Sequence, residues 1–262
     1  MIRALMTAAS GMKAQQMQVD TIANNIANAN TSGFKRSDLS FRSLLYQTYR
    51  DPGAPAGANQ MNPTGLQVGS GVEISGSTKD FDQGVLESTG GTFDLGIQGE
   101  GFFRVRLGNG EFRYTRDGSF HRDGNGQFVT SDGYILETAP TIAQDAIEIV
   151  VSEDGTVATK TSDAELPSIV GTISLFRFPN PAGLKAQGSN FFSETASSGV
   201  AQQVTAGDSG TGVLRQFYRE RSNVQVVDEL VSLILAQRNY EVNSRAVRVS
   251  DEMLQQVNQM IR

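Results

Sequence analysis

The 262-residue chain contains no cysteine, no tryptophan and a single histidine. Without thiols it forms neither disulfides nor thiolate metal sites, and one imidazole does not make a metal cluster. The expected fold is therefore held non-covalently and without a cofactor. Basic residues are outnumbered, 22 against 28 acidic, for a net charge of -6. No Lys/Arg stripe lies beside an aromatic platform, so nucleic acid is excluded as the main partner. No run approaches the roughly 18 apolar residues of a membrane span, so no direct membrane insertion is expected. The N-terminus, MIRALMTAASGMKAQQ, also lacks the unbroken apolar core of a cleaved secretory signal. That fits a cytoplasmic address or an export route that needs no such signal.

What is present in quantity is helical periodicity at the two ends. Over residues 2–30, Leu5, Met12, Val19 and Ile26 recur every seven residues, the signature of a long helix with a heptad seam. The cluster Asn30, Thr31, Ser32 and Gly33 marks its end, with glycine suited to a left-handed cap. From Val224 to Ile261 neither proline nor glycine interrupts the chain, a length far beyond the average globular helix of about 11 to 12 residues. Val226, Leu233, Tyr240, Val247, Leu254 and Ile261 fall seven apart, while Val231, Leu235, Val242, Ala246, Val249, Met253, Val257 and Met260 plot on the opposite face. A helix apolar on two opposed faces implies neighbours on both sides. The N-terminal helix supplies one through its matching seam, and self-association supplies the other. Copies related by an operation that does not close form a filament or tube.

Between the helices the pattern changes twice. The stretch DPGAPAGANQMNPTGLQVGSG carries Pro52, Pro55 and Pro63, which no regular helix accepts. Its composition suits an extended excursion, a loose hairpin or a linker. From Phe81 to about residue 195, short alternating segments such as FFRVRL, EFRYTR and QFVT are separated by Asn109-Gly110, Asp117-Gly118, Asp123-Gly124 and Asp132-Gly133. Such dipeptides suit turns with positive φ and signal an all-β domain of mostly antiparallel strands. The expected class is α+β, with a coiled-coil-like pair of terminal helices around a central β domain. Its parts are an N-terminal axial helix (1–33), a connecting segment (34–80), the β domain (81–215) and a C-terminal axial helix (216–262).

Three stretches look like chemical motifs but are incomplete. Ser119 and His121 lie between Asp117 and Asp123, but i and i+2 neighbours on a strand arise from geometry alone, and no Gly-x-Ser-x-Gly elbow accompanies them. HRDGNGQFV lacks the alternate carboxylates and closing Glu of a calcium loop. GIQGEG is not a dinucleotide or phosphate loop. No enzyme is expected.

The residues SGMKAQQMQVDTIANNIANANTSGFKR resemble the N-terminal motif of the flagellar axial proteins, the rod and hook family, and ELVSLILAQRNYEVNSRAVRVSDEMLQQV resembles the partner motif at the other end. The segment from Leu44 to Val72, together with GIQGEGFFRV, YTRDGSF and SNVQVVDELV, is similar to the distal rod branch, so the likeness covers nearly the whole chain. A proximal rod protein or a short hook protein is the nearest alternative. From a different class, the alternative is a secreted β-domain binding protein such as an adhesin. The resemblance implies a structural subunit that stacks helically into a hollow, rigid, torque-transmitting shaft spanning the periplasm. Implied partners are copies of itself, proximal rod proteins, the hook protein, the P- and L-ring proteins and the flagellar type III export apparatus. The positions expected to carry subunit assembly are the two heptad seams, Val242, Val249 and Met253 on the second face, and Asn24, Asn25 and Asn28 at the helix end, with the rod-specific extension marked by the three prolines.

Overall fold

The computed structural model describes all residues except 1, 54, 58, 59, 62, 162–165, 209, 261 and 262. Ile261, expected in the C-terminal seam, lies outside the described residues, and Pro55 is described in its backbone alone. The chain divides into two compact units, residues 1–26, 37–78 and 226–262 in the first and residues 27–36 and 79–225 in the second.

The first unit contains α1 (Ile2–Ala27), the strands β1 (Ser37–Ser43), β2 (Gln47–Arg50), β3 (Pro55–Gly57), β4 (Gln60–Met61), β5 (Leu66–Val68) and β6 (Val72–Lys79), and α2 (Val226–Met260). The strands pair β1 with β6, β2 with β5 and β3 with β4. The Gly/Pro-rich stretch is thus the far half of one long two-stranded ribbon. Pro52 and Pro63 sit exposed in its irregular steps, where no ladder hydrogen bond is lost. The ribbon is tied to α1 at three levels. Arg3 Nη1 donates to Tyr49 Oη at 2.5 Å, Ser10 Oγ accepts the Val72 amide at 3.3 Å, and the Asn25 carboxamide pairs with both backbone groups of Ser37 at 2.9 and 3.0 Å.

The two helices meet at two described points. Asn25 Nδ2 donates to Glu229 Oε2 at 3.4 Å. A Cβ built on Gly11 would lie 2.9 Å from Asn243 Nδ2. Gly11 lies fourteen residues before Asn25 on α1 and Asn243 fourteen after Glu229 on α2, so the helices run antiparallel past each other across that span.

Among the described residues the second unit has sixteen strands. In chain order they are β7 (Leu86–Ser88), β8 (Leu95–Gln98), β9 (Phe103–Arg106), β10 (Phe112–Thr115), β11 (Phe120–Arg122), β12 (Phe128–Thr130), β13 (Ile135–Leu136) and β14 (Ala146–Val151). There follow β15 (Thr156–Thr161), β16 (Ser168–Thr172), β17 (Ser174–Arg177), β18 (Lys185–Gly188), β19 (Phe191–Ser193), β20 (Gln202–Thr205), β21 (Val213–Gln216) and β22 (Tyr218–Glu220). The main sheet has seven strands in the order β11-β12-β13-β9-β10-β19-β18. It is not a simple meander, because β10 and β11 are sequence neighbours that do not pair. The turns at Asn109-Gly110, Asp123-Gly124 and Asp132-Gly133 fall where the dipeptides predict, whereas Asp117-Gly118 closes no hairpin and Gly118 does not take a positive φ, because β10 and β11 do not pair. Asp123 to Gly126 closes β11 onto β12 through a 2.9 Å bond from the Gly126 amide to the Asp123 carbonyl.

Its core is large and dry. Leu95, Ile97, Phe103, Val105, Val157, Ile173 and Leu175 have no exposed surface at all, and a second cluster joins Phe102, Tyr114, Phe176, Phe178 and Phe192. The rings of Phe102 and Phe178 meet edge to face at 5.6 Å and those of Tyr114 and Phe178 at 4.8 Å, the arrangement the aromatic quadrupole favours. The three-stranded sheet β14-β15-β16 and the pairs β17–β20, β8–β21 and β7–β22 complete the unit. Gly96 in GIQGEG is there for close approach: a Cβ would come within 2.9 Å of Leu86. Residues 96–98 of that segment are the end of strand β8 and residues 99–100 a bend.

Candidate self-assembly surface

On α2 the fully buried side chains among the described residues are Glu229, Ala236 and Ser250, none of them large and apolar. Leu233, Val247 and Leu254 of the expected seam are half-buried, while Val226 and Tyr240 are exposed. The opposite face is open along its length: Val231, Leu235, Val242, Val249, Met253 and Val257 are each at least 40% exposed, Val242 reaching 61%. On α1, Leu5, Met12, Val19 and Ile26 are half-buried, and the fully buried positions are Ala8, Ala14, Ile22 and Asn25. A long helix that covers its small residues and exposes its large ones is built to be covered by something else.

The asparagines at the end of α1 have separate tasks. Asn25 is buried within the chain, its amide engaged by Ser37 and Glu229, so it is an internal fastening and not a surface amide. Asn24 is exposed. Asn28 is half-buried; its side-chain oxygen accepts the Thr31 hydroxyl at 3.2 Å and its carbonyl accepts the Thr31 amide at 3.1 Å. This turn ends α1 at Ala27, three residues before the periodicity runs out. Gly33 then takes a φ of +67°, and a Cβ there would strike the Asp117 amide at 2.4 Å.

Beyond this turn lies a cluster that composition and periodicity did not point to. Within the second unit, Lys35 is fully buried and its Nζ lies 2.7 Å from both Glu220 Oε1 and the Asp82 carbonyl. The other oxygen of Glu220 pairs with Arg116 Nε at 3.2 Å, and Arg116 donates to the Gly99 and Gly101 carbonyls, each at 2.8 Å. The Gly84 amide adds a third donor to Glu220 at 2.9 Å. Burial pulls the Lys35 ammonium below its ordinary range; Glu220 opposes this and Arg116 adds to it. Neighbouring bonds finish the clasp. Asn223 Oδ1 accepts the Arg36 amide at 2.8 Å, Asn190 Nδ2 donates to the Ser32 carbonyl at 2.8 Å, and the Lys79 ammonium sits 4.4 Å from the Phe34 ring centre while donating to the Lys35 carbonyl. Residues 32–36 are thereby locked between segments more than forty and almost two hundred positions away in sequence. The available signal was a lone Lys after Gly-Phe, whose partner no local spacing reveals.

The Ser119 hydroxyl donates to the Asp117 carboxylate at 2.8 Å, while His121 is exposed and pairs through its backbone with Val129 on β12. The motif is a turn cap. Among the described residues no group of three or more His, Asp or Glu is placed to hold a metal ion, and no helix is long and apolar enough to cross a membrane.

Comparison with known proteins agrees with this architecture segment by segment. Residues 5–35 match the family model for flagella basal body rod proteins, residues 96–159 that for the flagellar hook protein FlgE/F/G D1 domain, and residues 215–260 that for the flagellar basal body rod FlgEFG protein C-terminal region. A protein with this open two-faced helix and these three segments is an axial structural component of the bacterial flagellum. The chain is 46% identical over 264 aligned positions to the flagellar basal-body rod protein FlgG of Borreliella burgdorferi, covering all of both. It is 45% identical to that of Caulobacter vibrioides over 99% of each chain and 37% identical to that of Bacillus subtilis over 98% of each. It belongs to the FlgG family, the structural subunits of the distal rod in the flagellar basal body.

Proposed function

We propose that α1 and α2 form a coiled-coil-like pair that lines a hollow, helically stacked shaft, with the β unit outside it. The open apolar face of α2 packs against helices of neighbouring copies. The observation that carries this reading is that exposed face, continuous from Val231 to Val257. Fully burying a Val, Leu or Met side chain is worth about 1.5–3 kcal/mol, and with about half of each of the six from Val231 to Val257 still exposed, covering them adds roughly half of that per side chain in every copy. Knobs held by several neighbours resist sliding, which suits a shaft that transmits torque.

The role is structural and non-enzymatic. The terminal segments, 1–33 and 216–262, act as the inner part, 34–80 as the connector and 81–215 as the outer domain. Proximal rod proteins, the hook protein and the P- and L-ring proteins are its neighbours along the shaft. Delivery is through the type III export apparatus, for which a thiol-free chain is well suited because no disulfide forms on the way. The ribbon carrying Pro52, Pro55 and Pro63 bridges adjacent copies.

The test is assembly of purified protein at high concentration, viewed by electron microscopy. Tubes are expected for the natural chain, and loss of tubes with an intact β unit for Val242→Asp with Val249→Asp. Closed dimers only, at every concentration, would overturn the reading.

A further inference from the structure

Apolar heptads do not distinguish one register from the next. Leu5, Met12, Val19 and Ile26 against Leu233, Tyr240, Val247 and Leu254 would match almost as well after α1 slid along α2 by seven residues, about 10 Å. A second file on each helix is different. On α1 it reads Ala4, Gly11, Gln18, Asn25; on α2 it reads Glu229, Ala236, Asn243, Ser250. Asn25, Glu229, Ala236 and Ser250 are buried, and Gly11, Gln18 and Asn243 are half-buried.

Both helix contacts belong to this file and to one alignment: Asn25 bonds Glu229, and Asn243 occupies the space left by the missing side chain of Gly11. The same alignment sets Gln18 opposite Ala236 and Ala4 opposite Ser250. Each long polar side chain thus faces a small one, except where two of them bond. A slide of one heptad in one direction sets Gln18 against Asn243 and carries Glu229 past the end of α1. A slide in the other sets Gln18 against Glu229 and carries Asn25 past the start of α2. Gln18 Oε1 is buried without a hydrogen-bond partner in the observed alignment, so what either slide adds is the loss of the Asn25–Glu229 bond and the crowding of two long polar side chains where there is room for one, and both are costly. Asn25 is also fixed independently, since its carboxamide bonds the amide and carbonyl of Ser37, so it does not follow a sliding neighbour.

We propose that this file of small and polar residues, with Asn25–Glu229 and Gly11–Asn243 as its two keyed positions, sets the register of the terminal helices. The apolar seam supplies the attraction. The inference rests on the coiled-coil-like pairing proposed above. It makes Asn25, Glu229, Gly11 and Asn243 positioning residues for the shaft lining.

The absence of cysteine makes the test clean. Spin labels go on the full chain at Gln16→Cys and Glu252→Cys, two exposed sites offset along the helix axis. Labelled protein is mixed sparsely into unlabelled protein of the same sequence and assembled, so that electron-spin distances report within one chain. The natural background should give one distance. Asn25→Leu with Glu229→Leu should add a population displaced by up to about 10 Å per heptad slid, with helix content retained. Gly11→Asn alone should also displace the distance, and Gly11→Asn with Asn243→Gly should restore it. The size exchange stands even where the leucine variant does not fold. An unchanged single distance in Gly11→Asn, or no restoration by the exchange, would overturn the proposal. Micrographs of the same samples read tube formation separately, so closed dimers with one fixed distance would sink the shaft and keep the register.

Discussion

The two units use their apolar residues in opposite ways. The β unit buries Phe103, Ile97, Leu175 and their neighbours completely and fastens its incoming segment with the buried Lys35–Glu220–Arg116 cluster. The helical unit covers Ala8, Ala14, Ala236 and Ser250 and leaves Val242, Leu235 and Val249 more than half exposed. Burying large apolar side chains is what outweighs chain entropy, so the β unit is self-sufficient and the helical unit is unfinished. The lesson is that one chain contains a folded body and an adhesive, and that they are separable by where the large side chains go.

The sharpest way to break that contrast is amide exchange on dilute monomer. Strands β8, β9 and β10 should exchange only through global opening, while residues 226–260 exchange almost freely, a difference of several kcal/mol in opening free energy. Strong protection across α2 in monomer would erase the distinction. Next in size, Lys35→Met should destabilise the β unit by about 3–5 kcal/mol in urea, because it leaves Glu220 short of a partner in a buried site. A loss under about 1 kcal/mol would mean that the clasp is ornamental. Gly33→Ala should cost about 1–3 kcal/mol through its left-handed backbone and the nearby Asp117 amide, read in the same unfolding curve.

The smallest effect concerns pH. Burial raises the Asp117 carboxyl above its ordinary range, with the Ser119 hydrogen bonds offsetting this only in part. A raised folded value means its contribution is full below the unfolded value of about 3.9 and is lost as pH rises through the folded one. Asp117→Asn should therefore gain melting temperature relative to the natural chain as pH climbs from acid through that window. A constant difference across the window would show that the carboxylate stays ionised at no cost.

Much of this was legible from the residues alone. Period-seven spacing identified both long helices, and three of the four dipeptides, Asn109-Gly110, Asp123-Gly124 and Asp132-Gly133, placed hairpin turns, because both depend on backbone geometry within a few residues; Asp117-Gly118 closes none. The strand order was not legible: the chain leaves the sheet after β10 and returns with β11 at its far edge, and pairing across such distances leaves no local trace. The same holds for the asparagines. Four of them at one helix end look alike in sequence, yet Asn25 is a buried fastening and Asn28 a turn acceptor, since each role depends on what lies opposite.

The linear chain by itself determined that there would be two axial helices, one of them two-faced, around a turn-rich β body, since period and turn chemistry are properties of neighbours in sequence. Only the tertiary structure decided that Lys35 meets Glu220, that Asn25 meets Glu229 and that the strands flanking the proline-rich stretch form a ribbon tied to α1. Those contacts join segments up to 204 positions apart, and nothing but packing tells a buried charge or amide which partner it will have.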